Sequence, residues 1–350
     1  MIKLKDVAKK AKVSEATASL VLNRRKGVSA ATRERVFAAA QALGYTPNSI
    51  ARGLAMRRTR SIGLVVTDIE NPFFGSVTRF VDEFILARDC TLVLSVSNDE
   101  PELEEKIISY FIGKRVEGVI IVPTISRRTN FSYFKDLDRH KIPFVFATTY
   151  YPGVAGDCVM TDLKKGSFQL ARYLIGLGHR DVLFLASHDR TVPVSSLRIE
   201  GVQRAFAEAG LSGDGIRVVE CDKANFSCGY AVTQAELGRG KPDAIIGVND
   251  IVALGAERAV RDMGYSIPGD ISVCGYDDVI FSRISEIPLT TVKQDVKQIC
   301  RKAVDVLFDR IQGARALNKI HKIAPEMVVR LSTGPCRRRR SARKEQHEKI

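Results

Sequence analysis

The most legible chemistry in this chain is recognition, not catalysis. Residues 4–23 read LKDVAKKAKVSEATASLVLN. Asp6 to Lys12 suits one short helix, with Val7, Ala8 and Ala11 on one face. Lys12-Val13-Ser14 is a tight break, and Ser14 suits the N-cap of a second helix because its hydroxyl accepts a free backbone N–H there. Ala18, Val21 and Leu22 fall on the inner face of that second helix. Two short helices joined by a turn of about three or four residues make a helix-turn-helix, whose second helix is placed to enter a DNA major groove. Charge agrees. Residues 1–60 hold 14 basic and 3 acidic residues, and residues 337–350 hold 7 and 2, so the net +14 sits in the two ends and the body is close to neutral. Clustered Lys and Arg on a small domain neutralise DNA phosphates and release counterions. The competing reading, a merely solvated basic surface, does not explain the helical pattern.

Other chemistries find little support. No GxGxxG follows a strand-like run and no GxxxxGK[ST] occurs, so no nucleotide phosphate loop is expected. The cysteines at 90, 158, 221, 228, 274, 300 and 336 are odd in number, scattered and without a CxxC pair. Buried, reduced structural roles are expected for most, with no metal site and no cofactor. The five histidines are dispersed, and no Ser/His/Asp set assembles, so an enzyme is unsupported. No apolar run approaches the ~18 residues of a membrane helix. The N-terminus enters the helical pattern without an apolar signal segment, which predicts a cytoplasmic protein without membrane partners.

The elements that position these residues follow from periodicity. A third helix is capped by Ser29, turns Val36, Phe37, Ala40 and Leu43 inward and ends at Gly44. Residues 47–60, PNSIARGLAMRRTR, suit a linker with a short helix too weak to stand alone in water. From Ser61 the pattern becomes strand and helix in alternation. SIGLVVTDI reads as a buried strand, CTLVLSVS, VEGVIIVP, IPFVFATT, VLFLAS, IRVVEC, AIIGVN and ISVCGYDD follow as further strands, and Val77, Phe80, Val81, Phe84 and Ile85 fall on one helix face. Such alternation predicts parallel sheets covered on both faces, and the strands are too many for one core, so two α/β lobes are expected. Ligands of such sheets bind at the carboxyl ends of strands.

Taken together, LKDVAKKAKVS, VSAATRERV, ALGYTPNSIARGL, SIGLVV, NPFF, GHR, the Arg and Glu-Gly of SLRIEG, VND with the following ALGA, IPGDISVCGYDD and PLTTVKQD resemble the LacI family of bacterial transcription repressors, over about residues 3–333. The resemblance implies an all-α helix-turn-helix domain at 1–46, a hinge helix and linker at 47–60, and a two-lobed α/β core at 61–335 resembling periplasmic binding proteins. It places the N-lobe at about 61–160 and 292–320, the C-lobe at about 161–290 and 321–335, and leaves a basic tail at 336–350. It further implies a homodimer on double-stranded DNA, reading a near-palindromic operator and switched by a small molecule between the lobes.

Site residues carry over by position. Ser14, Thr17, Ser19 and Asn23 suit phosphates, which fix register without reading sequence. Glu15, Ala16 and Leu20 fall at base-reading positions; Glu15 suits cytosine N4, and Ala16 and Leu20 suit thymine methyls. Many family members carry Arg or His where Leu20 stands, and its alternative role is to help the core. Asn48, Ala51, Arg52 and Leu54 belong to the hinge segment, where Leu54 matches an apolar wedge for the minor groove and Ala51 packs against its twin. Phe73, Phe74, Tyr150, Arg198, Asn249 and Asp277 match effector-binding positions. Phe73 and Phe74 could equally be plain core, Arg198 and Asp277 a salt bridge across the lobes, and Asp250 a helix cap. Thr148 and Thr149 stand where a purine-responsive member has Asp and Trp, which favours a sugar or sugar derivative. The tail CRRRRSARKEQHEKI lacks the leucine heptads of a tetramerising helix, so a dimer is expected. A ligand carrier of the periplasmic type and a sensor of a partner protein share this core and remain the alternatives.

Overall fold

A computed structural model describes residues 2–22, 27–45, 58–125, 131–190 and 192–336. The chain divides into two compact units, Met1–Arg60 and Ser61–Ile350. Asn23, Asn48, Ala51, Arg52, Leu54, the hinge helix and the basic tail beyond Cys336 lie outside the described residues.

The first unit holds α1 (Leu4–Ala11), α2 (Glu15–Leu22) and α3 (Ala30–Leu43). Lys12 turns left-handed after α1, at φ 54°, and Val13 N–H donates to the Ala8 carbonyl at 3.0 Å, which closes the helix and reverses the chain. Ser14 Oγ accepts from Thr17 N–H at 3.1 Å and starts α2. Ser29 caps α3 through Thr32 N–H, and Gly44 closes it at φ 62°. Val7, Ala8, Ala11, Ala18, Val21, Val36, Ala39 and Ala40 form its core. The small alanines let three short helices approach closely. Phe37 departs from expectation: it is 46 % exposed, and Ala39 takes the inward place, because the α3 core stripe runs through Val36, Ala39 and Ala40.

The second unit contains two six-stranded sheets. Their elements, in chain order, are β1 (Ser61–Val66), α4 (Pro72–Leu86), β2 (Thr91–Val96), α5 (Pro101–Lys114), β3 (Gly118–Ile121), α6 (Tyr133–Arg139), β4 (Phe144–Ala147), β5 (Asp157–Thr161), α7 (Leu163–Gly176), β6 (Val182–Ser187), α8 (Pro193–Glu208), β7 (Ile216–Cys221), α9 (Phe226–Leu237), β8 (Ala244–Gly247), α10 (Asp250–Asp262), β9 (Ser272–Asp277), α11 (Ile280–Ile284), β10 (Thr290–Lys293), α12 (Val296–Ile311), β11 (Ile320–Ile323) and β12 (Glu326–Val328). The sheet orders are β11-β5-β4-β3-β1-β2 and β12-β10-β9-β8-β6-β7. Every pairing is parallel except β10 with β12.

The lobe boundaries expected from sequence fall inside strands, and hydrogen bonding moves them. Ile320–Ile323 pairs as a whole with Cys158–Thr161 in the first sheet, so that lobe runs through 323, not 320. Thr290–Lys293 pairs with Cys274–Asp277 in the second, so that lobe runs through 293. The chain therefore crosses between lobes after β5, after β10 and after β11. Each lobe is closed by strands distant in sequence.

Two helix pairs pack closely enough to exclude any side chain at their crossing. A Cβ on Gly201 in α8 would stand 2.3 Å from the Lys164 carbonyl oxygen of α7, and one on Gly255 in α10 would stand 2.2 Å from the Phe226 carbonyl oxygen of α9. Those distances lie inside van der Waals contact, so the Gly of SLRIEG and the Gly of ALGA are packing residues.

Candidate DNA interface and effector cleft

In the first unit α2 presents the expected reading residues outward. Ser14, Glu15 and Ala16 are exposed, Leu20 is 36 % exposed, and Thr17 and Ser19 are half-buried at the edge of the face. Ala18 and Val21 point the other way, into the core. Leu20 is thus on the outer side of the helix and not among the buried core residues. The Ser14 and Thr17 hydroxyls meet at 2.8 Å at the start of α2, where free backbone N–H groups and the helix dipole favour a phosphate.

In the second unit the carboxyl ends of both sheets converge on a cavity of about 510 Å³. Thr67, Asn98, Val122 and Thr148 follow β1, β2, β3 and β4; Lys223, Val248 and Gln294 follow β7, β8 and β10, while Ser187 and Asp277 end β6 and β9. Of the six expected effector residues, Phe73, Phe74, Arg198, Asn249 and Asp277 line it together. Tyr150 does not. It packs against the core, because the chain past β4 turns only Thr148 and Thr149 into the cavity.

Each lining residue is held by its own element. Asn71 caps α4 by accepting from Phe73 N–H at 3.0 Å, with Pro72 at the first helical position. This sets Phe73 and Phe74 edge to face, their centroids 5.3 Å apart. Phe73 is 5 % exposed and belongs to the core as well as the lining. Asn249 is the cap of α10: its Oδ1 accepts from Val252 N–H at 2.8 Å and its Nδ2 donates to the Ala224 carbonyl at 3.0 Å. The expectation that Asp250 caps this helix is corrected. Asp250 is fully buried and staples loop to sheet, accepting from Val279 N–H at 2.8 Å and from Thr291 Oγ1 at 2.5 Å. Burial first, and then nearby Asp277, push its carboxyl well above the usual range.

Arg198 and Asp277 form the charged centre. One Arg198 nitrogen donates to the Val248 carbonyl at 2.8 Å, another stands 3.5 Å from Asp277 Oδ1, and the guanidinium lies 3.9 Å over the Tyr276 ring. Both residues belong to the second lobe, so this ion pair does not span the lobes. Gln294 Nε2 donates to Asp277 Oδ1 at 2.7 Å. Burial pushes the Asp277 carboxyl up from 3.8 to about 6, against the opposing pull of Arg198 and of the Gln294 hydrogen bond. Burial likewise raises Asp99, against its bond from Ile125 N–H and the charges of His188 and Lys223.

Two further features mark the cavity as a ligand site. Three lining residues, Thr149, Arg198 and Gln294, each carry a buried side-chain atom without a hydrogen-bond partner behind the cavity wall, and buried polar groups are ordinarily satisfied. Backbone strain also gathers there: Asn98, Asp99, Thr148 and Asp277 take φ of 52°, 62°, 69° and 118°. Positive φ in non-glycine residues costs energy and concentrates at ligand clamps. Sequence reasoning passed over Asn71, Asp99, Lys223 and Gln294. The usable signal was position, since each stands at or just past the carboxyl end of an apolar run. Among the described residues no group of three or more His, Cys, Asp or Glu could hold a metal, and no helix is long and apolar enough to cross a membrane.

A helical reading head, with a two-lobed parallel α/β unit built around a polar cleft, defines the class of ligand-responsive DNA-binding regulators. Residues 3–48 match the bacterial regulatory proteins of the lacI family, and residues 171–333 match the periplasmic binding protein-like domain. The chain is 33% identical over 334 residues to the HTH-type transcriptional repressor PurR of Vibrio campbellii (strain ATCC BAA-1116), covering 94% of this chain and 98% of that protein. It superposes on the lac repressor dimer bound to operator and the anti-inducer ONPF with a TM-score of 0.84 at 27% identity, covering 95% of this chain and 99% of that one. The transcriptional regulator CelR in complex with cellobiose gives a TM-score of 0.71 at 29% identity, covering 95% and 100%. The chain belongs to the LacI family. It is a DNA-binding transcriptional regulator with a periplasmic binding protein-like effector domain.

Proposed function

We propose that this regulator is a repressor, that it binds a near-palindromic operator as a homodimer, and that a sugar or sugar derivative in the cleft sets its operator affinity. The observation that carries the effector reading is the cavity at the carboxyl ends of both sheets, where the polar side chains of Asp277, Arg198, Asn249 and Gln294 converge beside the half-buried ring of Phe74. A hydroxyl-rich ring satisfies such donors and acceptors while its CH surface lies on Phe74. The cellobiose held by CelR supports the same class of ligand. Asp277, Arg198 and Asn249 orient the hydroxyls.

Glu15, Ala16 and Leu20 contact base edges, and Ser14, Thr17, Ser19 and Asn23 contact phosphates. Asn48, Ala51, Arg52 and Leu54 act at the operator centre. The exposed apolar side chains of α11, Ile280, Phe281 and Ile284, are the natural partner surface for a second copy. A ligand shifts operator affinity only if it binds one lobe arrangement better than another. The test is a thermal-shift panel of sugars, polyols, sugar phosphates, sugar acids and nucleobases. A true effector at about 100 times its Kd adds roughly 2.7 kcal/mol. Stabilisation by a nucleobase and by no sugar would overturn the carbohydrate assignment.

A further inference from the structure

A second concavity, of about 720 Å³, lies away from the cleft. Five cations line it, Lys164, Lys165, Arg172, Arg204 and Lys322, with Asp162 as its one acid. They come from both lobes: Lys322 sits on β11 of the first sheet, and the others on α7 and α8 of the second lobe. Asp162 follows β5 and Lys322 lies on β11, so the concavity adjoins two of the three crossings between lobes.

Its single carboxylate is already engaged. Asp162 Oδ1 accepts from Lys165 N–H at 3.3 Å and caps α7, while Oδ2 stands 3.5 Å from Lys322 Nζ. The Arg172 and Arg204 guanidiniums both lie over the Phe168 ring, 5.7 and 5.0 Å from its centre, which gathers two planar forks on one aromatic platform. Lys165 and Arg172 have no carboxylate partner among the described residues. Lys164 pairs with Glu200 at 2.9 Å and Arg204 with Glu208 at 2.8 Å, both at partly exposed sites where ion pairs contribute little and exchange readily.

We propose that this concavity is a second ligand site, for a small molecule bearing two or more phosphate-type charges, which bridges Lys322 of the first lobe to Arg172 and Arg204 of the second. Arginine forks bind phosphate oxygens in pairs, and lysines add point charge. A ligand held from both lobes beside the crossings favours one lobe arrangement, and is thereby coupled to whatever occupies the cleft.

The test is calorimetric titration of the full-length protein with inorganic pyrophosphate at fixed ionic strength. The expected result is one saturable site per chain. Arg172→Gln, Arg204→Gln and Lys322→Gln are each expected to weaken it by about tenfold or more. All three side chains are exposed, so the fold is retained, and circular dichroism checks this. The proposal is overturned by the absence of saturable heat below about 10 mM. It is also overturned by binding that ignores these substitutions, as general attraction to the basic ends would. Insensitivity to Lys322→Gln alone removes the bridge, and loss on Lys223→Gln instead places the anion in the cleft.

Discussion

Asp277→Asn separates what the cleft does for the ligand from what it does for the fold. In the unfolded chain this carboxyl titrates near 3.8; in the folded protein burial lifts it to about 6 even with Arg198 and Gln294 beside it. A carboxyl raised on folding takes up a proton more readily in the native state. Its contribution to stability is therefore fully present below pH 3.8 and is lost as pH rises through 6. At pH 7 the ionised form carries a penalty of about 3 kcal/mol relative to a neutral group of the same shape. The pull of Arg198 is already contained in that difference. Asparagine keeps an oxygen for Gln294 Nε2 and tolerates the positive φ of this position. The ligand-free variant is thus expected to be more stable than the parent at pH 7 by about 2–3 kcal/mol, with the gain fading as pH falls toward 4. Denaturant midpoints at several pH values measure it. A variant less stable at pH 7, or a gain unchanged with pH, would refute the reasoning. The same variant should lose the stabilisation that an effector gives the parent.

The two phenylalanines should separate in the same way. Phe73→Ala removes a core side chain and should cost roughly 3–5 kcal/mol in denaturant unfolding, whereas the half-buried Phe74→Ala should spare stability and weaken effector binding in a titration. Ser14→Ala removes the α2 cap and should lower the stability of the helical unit by about 1 kcal/mol, seen in its thermal melt; an unchanged melt would remove the capping role. Leu54→Ala should weaken operator binding much more than binding to random DNA, and equal losses in gel shift would contradict the wedge. Replacing both Ile280 and Ile284 by Asp should give monomers in light scattering; an intact dimer would place the interface elsewhere.

The helix-turn-helix was readable because caps, apolar spacing and charge agreed over a short span. The two α/β lobes were readable for a similar reason, since each apolar run is a strand, although β2 and β7 stand at sheet edges and are largely not buried. The lobe boundaries were a few residues off because they cut through β10, which stays with the preceding β9, and β11, which returns to the distant β5, and no local pattern records a strand's partner. Phe37 was misassigned because its side chain is apolar and its position fits a helix stripe, yet the three-helix core is filled by alanines. Asn249 takes the capping role expected of Asp250 because either side chain can cap, and only the fold decides which faces the free N–H groups. Tyr150 was one step off: a strand end admits two residues to the cleft, and position alone does not say which two.

Because β11 and β12 complete one sheet each, neither lobe has all its strands until residues 320–328 have left the ribosome. The helical unit needs only residues up to 45 and has a closed core of its own. During synthesis the reading head can therefore fold while the sensing unit is still unfinished. A chain interrupted anywhere between the two would carry the DNA-contacting helix without a completed switch, so truncated products of this repressor are expected to escape effector control, not to respond to it partially.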